Sequence, residues 1–229
     1  MYTNDNFYSC SFPIPRHVAV IPDGGRRWAK KNNVNYKEAY KISMEKIRTL
    51  LEELYECGTQ YISVYFASTL NFSRSEYEIN CFCEAGWEGI MNELLPYALK
   101  NNITIKIIGR QDENFKMFED SVAYVEQQTI FQNARMLFIC FNYNSLDEIE
   151  ASFKKRDSER NSFVNYLDIG YPVDILIRTG GAQTLSGFLL PQIAFARLFF
   201  LDKLFNDITI FDIREILSTY KHFVLKYGE

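Results

Sequence analysis

Short apolar runs alternate along the chain with longer segments that have helical spacing. Mostly apolar runs of four to six residues predict buried strands at 18–21, 61–66, 103–108, 136–141 and 173–177. Helical spacing predicts helices at 36–57, 75–100, 112–128, 146–155, about 188–199 and 213–227. Strands separated by helices predict an α/β fold with a mostly parallel central sheet, covered by helices on both faces. Without an internal repeat or a linker, residues 1–229 are expected to form a single domain, with 1–16 as an N-terminal extension.

The composition is that of a globular protein with a sizeable core, and it argues against several classes of protein. Of the 229 residues, 47% are hydrophobic and 24% are charged, and the formal net charge is −4. No basic segment stands out, so nucleic acid binding is not expected. The sequence has no signal-peptide pattern at its start and no run of 18 apolar residues, so we expect at most peripheral membrane contact. The five cysteines lack zinc-site spacing and are expected to be reduced thiols in a cytoplasmic protein.

The aromatic content is high, at 16%, with 19 Phe and 15 Tyr residues. One interpretation is a core rich in phenylalanine. The other is a deep apolar cavity for a hydrophobic ligand. The composition alone fits both.

The first predicted strand is followed at once by an acid, two glycines and two arginines, in the order Pro22-Asp23-Gly24-Gly25-Arg26-Arg27. Glycines let the backbone turn sharply and approach a ligand closely. A helix that begins near Arg26 presents free N–H groups and about half a positive elementary charge at its N-terminus, which suits an anion. Asp23 would repel a bare phosphate but suits a Mg²⁺ ion that phosphates also contact. The alternative is a structural corner followed by a solvated basic helix.

Two further loops that follow predicted strands have similar chemistry. Ser68, Asn71 and Arg74 follow the second predicted strand. Arg178 and Ser186 follow the fifth. Because ligands of open parallel sheets bind beyond the carboxyl ends of the strands, three such loops predict a polyanionic ligand, most simply a diphosphate. The chain lacks the P-loop and the dinucleotide-binding glycine motif, and neither histidine belongs to a recognisable catalytic triad.

Three segments, HVAVIPDGGRRWA, ASTLNFSRSEYEI and DILIRTGGAQTLSGFLL, resemble signature segments of the cis-prenyltransferases, the undecaprenyl diphosphate synthase family. The resemblance extends from about His17 over nearly the whole chain. It implies a dimeric, Mg²⁺-dependent enzyme that transfers an allylic prenyl group from its diphosphate to isopentenyl diphosphate. It also implies an apolar tunnel between the sheet and two helices, which would account for the many aromatic residues.

Carried over by position, the resemblance assigns roles to individual residues. Asp23 corresponds to the metal-binding aspartate. The residues that correspond to the cradle of the allylic diphosphate are Gly24, Gly25, Arg26, Arg27 and Trp28. The loop around the reacting centre corresponds to Ser68, Asn71 and Arg74. The second diphosphate site corresponds to Arg178 and Ser186, with Lys226 reaching it across the dimer interface.

The chain departs from the family's pattern at several of these positions. In the donor region the changes are Gly25 for asparagine, Tyr36 for arginine, Tyr40 for histidine and Phe72 for tryptophan. In the second site Thr184 replaces an arginine and Lys226 replaces another. Arg197 replaces the glutamate that completes the metal site, so it either binds diphosphate in place of the metal or marks a damaged site.

The altered second site favours an irregular branch of the family. The patterns PDGxRRW and [YF]SRSE resemble the lavandulyl and cyclolavandulyl diphosphate synthases, which join two allylic units head-to-middle. The leading hypothesis is therefore the condensation of dimethylallyl diphosphate to a short irregular product. Two alternatives remain: a regular short-chain head-to-tail enzyme that uses isopentenyl diphosphate, and a non-catalytic partner subunit. The candidate proton acceptors are Ser68, Asn71, a released phosphate oxygen, Glu76 and Glu78.

The length of the product is expected to depend on Phe66. Alternation along the second strand places Phe66 on the same face as Ser68. Long-chain relatives resemble this sequence but have a small residue there, so Phe66 is expected to block the tunnel, which Phe72 also lines, and to limit the product to two or three isoprene units. The alternative is that Phe66 only fills the core.

Overall fold

Six parallel strands form the centre of the molecule. The computed structural model describes residues 14–132, 135–156 and 162–221. Its strands are β1 (His17–Ile21), β2 (Tyr61–Tyr65), β3 (Ile103–Ile108), β4 (Arg135–Cys140), β5 (Ile175–Arg178) and β6 (Arg197–Phe200). Neighbouring strands are all parallel, in the order β3-β4-β2-β1-β5-β6. The sheet confirms the predicted α/β fold and contains each of the five predicted strands.

The helices of the described residues are α1 (Gly25–Asn32), α2 (Tyr36–Glu56), α3 (Glu76–Gly89), α4 (Leu95–Asn101), α5 (Glu113–Lys116), α6 (Glu119–Gln128), α7 (Ser145–Lys155) and α8 (Ile210–Lys221). Side chains of Asn35, Ser75 and Asn144 cap α2, α3 and α7 by accepting backbone hydrogen bonds. The predicted helix 75–100 is two helices joined by a π-helical turn at Ile90–Leu94. None of the helices in the described part of the chain combines the length and the apolar character needed to cross a membrane.

Both faces of the sheet are buried. Val18 and Val20 of β1 belong to an apolar layer with residues of α2, α3 and α8. Ala19 and Ile21 belong to a second layer with residues of the segment 167–193. Because alternate side chains of a strand point to opposite faces, a strand covered on both sides becomes a continuous apolar run in the sequence.

The predicted helix at 188–199 is wrong. Residues 188–195 form turns, and Arg197–Phe200 pairs with β5 as the edge strand β6. Leu189 has a φ of 47°, which an α-helix does not allow, and Pro191 lacks the N–H that a helix interior uses. The apolar residues Phe188, Leu189 and Ile193 instead pack beneath the second face of the sheet. A short apolar segment does not reveal by its spacing alone whether it is a strand, a helix or a buried turn.

Parallel pairing brings three loops to one edge of the sheet. The register places Ile21, the last residue of β1, beside Arg178, the last residue of β5. Tyr65 at the end of β2 lies beside Cys140 at the end of β4. The 22–24 loop, the 66–75 loop and the 179–187 loop therefore leave the sheet side by side.

Candidate active site

An open cavity of about 520 Å³ lies beyond the carboxyl ends of β1, β2 and β5. Helices α1, α2 and α3 also contribute to its wall. The predicted site residues that line it are Asp23, Gly24, Gly25, Arg26, Arg27, Phe66, Ser68, Asn71, Arg74, Arg178 and Ser186. The three loops that were singled out in the sequence therefore do form one site.

The Asp23 carboxylate is held between two guanidinium groups. Its Oδ2 lies 3.0 Å from Nη2 of Arg178, and its Oδ1 lies 3.2 Å from Nη2 of Arg27. Nη1 of Arg178 donates to the Thr184 carbonyl at 2.6 Å and to the Ser186 hydroxyl at 2.7 Å. Arg178 is only 7% exposed, and its Nε is buried without a hydrogen-bond partner among the described residues. Arg178 is thus largely satisfied by the protein itself.

Two glycines allow these groups to meet. Gly24 has a φ of 115°, and a Cβ there would lie 2.9 Å from Cδ2 of Leu204. Gly180 has a φ of 83°, and a Cβ there would lie 2.5 Å from Nη2 of Arg27. Nη1 of Arg27 donates to the Gly180 carbonyl at 2.7 Å, which fixes the guanidinium beside Asp23. Gly25 differs, because a Cβ there would make only ordinary van der Waals contacts, the nearest at 3.6 Å from Tyr40.

More cations line the cavity on the side of α3. Arg26 pairs with Glu78 at 3.0 Å, and this contact joins α1 to α3. Burial, followed by repulsion from Arg26, lowers the pKa of Arg74. Burial also raises the pKa of Tyr40, which lines the cavity and whose hydroxyl is buried without a partner in the described part of the chain. Excess positive charge and an unpaired buried hydroxyl are what an anionic ligand would satisfy.

The 66–75 loop is closed by its own hydrogen bonds. The amide and the hydroxyl of Ser68 both donate to Oδ1 of Asn71, at 2.7 and 3.0 Å. This arrangement caps the 3₁₀ turn at Thr69–Ser73. Of the two acidic candidates for the proton acceptor, Glu78 lines the cavity and Glu76 does not. The hydrogen bond from Arg26 lowers the pKa of Glu78, which makes that carboxylate a weaker base.

The apolar part of the cavity lies between α2 and α3. Phe66 lines it together with Phe82 and Gly86, and Ser68 lines the same cavity. The Phe66 and Phe82 ring centroids are 5.2 Å apart. A Cβ on Gly86 would lie 2.5 Å from Cζ of Phe66, so the missing side chain of Gly86 makes room for the ring. Phe72 lies outside this cavity and packs edge-on against Phe141 at 5.5 Å.

Two further predicted residues, Trp28 and Arg197, do not join the site within one chain. Trp28 points away from the cavity, and its Nε1 donates to Asp207 at 2.7 Å. Arg197 is the first residue of β6. At about 3.3 Å per residue, it lies roughly 10 Å from the carboxyl end of that strand. Its side chain donates to the Thr219 carbonyl at 3.0 Å. Arg197 therefore does not take the place of a metal ligand beside Asp23 in its own chain. Lys226 lies outside the described residues.

Sequence reasoning missed several residues that line the cavity. These are Lys30 of α1, Ser43, Met44 and Ile47 of α2, Phe82 of α3, and Tyr65 at the end of β2. For Tyr65 a signal was available, because it is the last strand residue before a loop that had been singled out. For the residues of α2 and α3 no local signal exists, since only the packing of the helices decides which helix face meets the cavity.

Comparisons with known proteins find relatives over nearly the whole chain. A family model described as "Putative undecaprenyl diphosphate synthase" matches residues 21–228. The chain is 33% identical over 221 residues to an isoprenyl transferase of Treponema denticola, which covers 93% of this chain and 97% of that protein. It is 29% identical over 231 residues to cis-prenyltransferase 7, chloroplastic, of Solanum lycopersicum, covering 93% and 80%.

Two solved structures share the fold. Lavandulyl diphosphate synthase from Lavandula x intermedia, in complex with dimethylallyl diphosphate, gives a TM-score of 0.87 at 23% identity, covering 94% of this chain and 99% of that one. A "probable undecaprenyl diphosphate synthase" from Campylobacter jejuni gives 0.73 at 25% identity, with the same coverage of 94% and 99%.

Proposed function

The chain belongs to the undecaprenyl diphosphate synthase family and is a prenyltransferase, and we propose that it condenses two molecules of dimethylallyl diphosphate head-to-middle into a short branched prenyl diphosphate. One observation carries this proposal. Several cationic side chains line the cavity near Asp23. Arg178, the arginine of the second diphosphate site, already forms hydrogen bonds with Thr184 and Ser186 and an ion pair with Asp23.

The donor side of the cavity suits an allylic diphosphate that ionises. Arg26, Arg27 and Arg74 line it, and α1 begins there without a side-chain cap on its first N–H groups. These donors stabilise the negative charge that develops on the leaving diphosphate when the C1–O bond breaks. The buried hydroxyl of Tyr40 adds a neutral donor that a diphosphate oxygen would satisfy.

Mg²⁺ is the cofactor that we propose, with Asp23 as its protein ligand. No group of three or more His, Cys, Asp and Glu side chains among the described residues could hold a metal ion. Mg²⁺ nevertheless often uses one or two carboxylates together with substrate phosphates and water, and the Asp23 side chain, 33% exposed on the cavity wall, fits that pattern. The ion would supply further charge neutralisation for the diphosphate. Because Arg27 and Arg178 already contact Asp23, metal binding must compete with these ion pairs.

The second site favours an acceptor other than isopentenyl diphosphate. In head-to-tail coupling C4 of isopentenyl diphosphate attacks, whereas in head-to-middle coupling C2 of dimethylallyl diphosphate attacks. The acceptor diphosphate must then lie two carbon atoms closer to the reacting centre, so its anchor must differ. The changed anchor matches this requirement, since Thr184 offers a hydroxyl and a carbonyl to Arg178 where the family's pattern has a second arginine.

After C2 attacks C1 of the donor, the cation at C3 of the acceptor loses a proton. Ser68 directs its own proton to Asn71, and Glu78 is bound to Arg26, so neither is a strong base as placed. We therefore assign the proton acceptor to an oxygen of the released diphosphate, which the arginines keep close to the cation. Ser68 and Asn71 then serve to position the substrates.

A short product follows from the apolar end of the cavity. Phe66 and Phe82 form its wall between α2 and α3. Behind Phe66, the rings of Phe141, Trp87 and Phe118 pack against one another. Aromatic side chains therefore fill the space in which a long chain would grow, which supports a product of two isoprene units.

We propose that the protein is a homodimer. Among the described residues β6 pairs with a strand on one side only, that of β5, and the nearby side chains of Phe195 and Leu198 are 76% and 44% exposed. An uncovered strand edge with exposed apolar side chains favours association with a second copy. In such a dimer Arg197 and Lys226 would be candidates to reach the partner's second site.

A product assay tests the proposal. Purified protein with Mg²⁺ would receive dimethylallyl diphosphate alone or together with isopentenyl diphosphate, and the dephosphorylated products would be identified by mass spectrometry. A branched ten-carbon alcohol from the first reaction is expected. Linear products that need isopentenyl diphosphate would instead establish a regular short-chain enzyme. The absence of products from both reactions would favour the non-catalytic partner. In the same assay Asp23→Asn should form much less product, because the proposed Mg²⁺ ligand is lost. Its matched control is Asp207→Asn, because Asp207 binds Trp28 outside the cavity.

A further inference from the structure

The hydroxyl of Tyr65 connects two of the loops that form the active site. It lies 3.1 Å from the carbonyl of Ser186 in the 179–187 loop and 3.1 Å from the carbonyl of Tyr143. Tyr143 forms a bridge with Ser68, and its amide donates to the carbonyl of Ala67, so the second contact reaches the start of the 66–75 loop. Burial raises the pKa of Tyr65, so the hydroxyl keeps its proton and acts as a donor.

Ser186 has a backbone that must be held in place. Its φ is 51°, in the left-handed region that non-glycine residues rarely adopt, and Gly187 follows with a φ of 73°. Such a conformation persists only where the surroundings stabilise it. The hydrogen bond from Tyr65 to the Ser186 carbonyl is one contact that does so. The Tyr65 ring, stacked on Phe188 at 4.4 Å, keeps the hydroxyl beside that carbonyl.

From Ser186 the contacts continue to the charged centre. The Ser186 hydroxyl accepts a hydrogen bond from Arg178 at 2.7 Å, and Arg178 contacts Asp23 at 3.0 Å. A displacement of Ser186 would therefore remove one of the contacts that orient Nη1 of Arg178 and leave Thr184 as the remaining acceptor. We propose that Tyr65 is a positioning residue for the second substrate, acting through Ser186 to set the orientation of Arg178. This inference rests on the proposed function, which places the second diphosphate at Arg178 and Ser186.

Tyr65→Phe tests the inference because it keeps the ring and removes only the hydroxyl. The matched control is Tyr55→Phe. The Tyr55 hydroxyl also donates to a backbone carbonyl, that of Met136 at 2.9 Å, and Tyr55 is 1% exposed, but it does not line the cavity. Both variants should lose a similar amount of thermal stability. Only Tyr65→Phe should change binding at the second site.

The measurement is calorimetric titration with dimethylallyl thiolodiphosphate, an analogue that ionises poorly, in the presence of Mg²⁺. The wild-type protein should bind two equivalents per chain, with the donor site the tighter. Tyr65→Phe should weaken the second event about threefold to tenfold, the effect of one hydrogen bond, and leave the first unchanged. Unchanged binding in Tyr65→Phe, or an equal loss in Tyr55→Phe, would overturn the inference.

Further outcomes separate this inference from the proposed function. If Tyr65→Phe weakens the second event but the product assay yields only linear products, the role of Tyr65 stands and head-to-middle coupling fails. If the wild-type protein binds one equivalent, both fail. In a Ser186→Ala background, Tyr65→Phe should have a smaller effect, because the serine hydroxyl that Tyr65 positions is absent. An equal effect in both backgrounds would mean that Tyr65 does not act through Ser186.

Discussion

The carboxylate of Asp23 and the guanidinium of Arg178 lie 3.0 Å apart at the ends of neighbouring strands, although 155 positions separate them in the chain. The pair places a nearly buried cation directly beside the only acidic side chain of the 22–24 loop. It links the proposed metal ligand to the second substrate site. Changes at either residue should therefore affect both chemistry and stability.

Asp23→Asn should lower kcat by at least about 100-fold, because the charge that would hold Mg²⁺ is lost while the shape is kept. Asp23→Ala should also lower the free energy of unfolding by about 1–3 kcal/mol, since it leaves the Arg178 guanidinium without its acidic partner. Steady-state kinetics and urea unfolding check the two effects. An Asp23→Asn enzyme with full activity would remove Asp23 from the mechanism.

Phe66→Ala should lengthen the product, because it opens the apolar end of the cavity towards Phe141. The matched control is Phe72→Ala, since Phe72 packs against the same Phe141 ring but does not line the cavity. Both changes should cost roughly 2–4 kcal/mol of stability as large-to-small replacements. Product analysis with dimethylallyl and isopentenyl diphosphates would compare the chain lengths. Longer products from both variants, or from neither, would contradict the role of Phe66.

Gly86→Ala should destabilise the fold by about 1–3 kcal/mol, because the new methyl group would lie 2.5 Å from Cζ of Phe66. The loss should be smaller when Phe66 is already alanine, which a double-mutant cycle of urea unfolding would detect. Gly170→Ala serves as the control, since nothing lies within 4 Å of a Cβ at that position. Additive effects of the changes at positions 66 and 86 would mean that the glycine does not make room for the ring.

His17 should make the protein less stable in mild acid. The ring is fully buried against Ser63 and Tyr171, and burial lowers its pKa from 6.5 to about 4. Between these values the unfolded chain binds the proton and the folded chain does not, so stability is lost as the pH falls from 6.5 towards about 4.

The titration can be isolated with His17→Gln, which keeps polar contacts but does not ionise. Urea unfolding between about pH 7 and pH 4.5 should show a loss of stability that is about 2–3 kcal/mol smaller in the variant, at about 1.4 kcal/mol per unit of pKa difference. His222 is present in both proteins, so its titration cancels. Parallel pH profiles for the two proteins would show that His17 is not responsible.

The sequence by itself determined the parallel sheet and the location of the site. Strands buried on both faces form nearly continuous apolar runs, as at 18–21 and 175–177. Parallel strands present their carboxyl ends at one edge, so Asp23, Ser68 and Arg178 had to lie near one another. These conclusions need only local pattern and the geometry common to all parallel sheets.

Only the tertiary structure decided how the residues at that edge are used. Trp28 and Arg197 carry suitable chemistry in suitable segments, yet packing directs one towards Asp207 and places the other at the start of an edge strand. Nη1 of Arg178 donates to Thr184 and Ser186, and the Tyr65 hydroxyl donates to the Ser186 carbonyl. Such contacts join side chains far apart in the chain, and their directions depend on how the loops close after the helices have packed. No local pattern in the sequence predicts how these loops close. The free energy of the closed arrangement comes from contacts between distant parts of the folded chain.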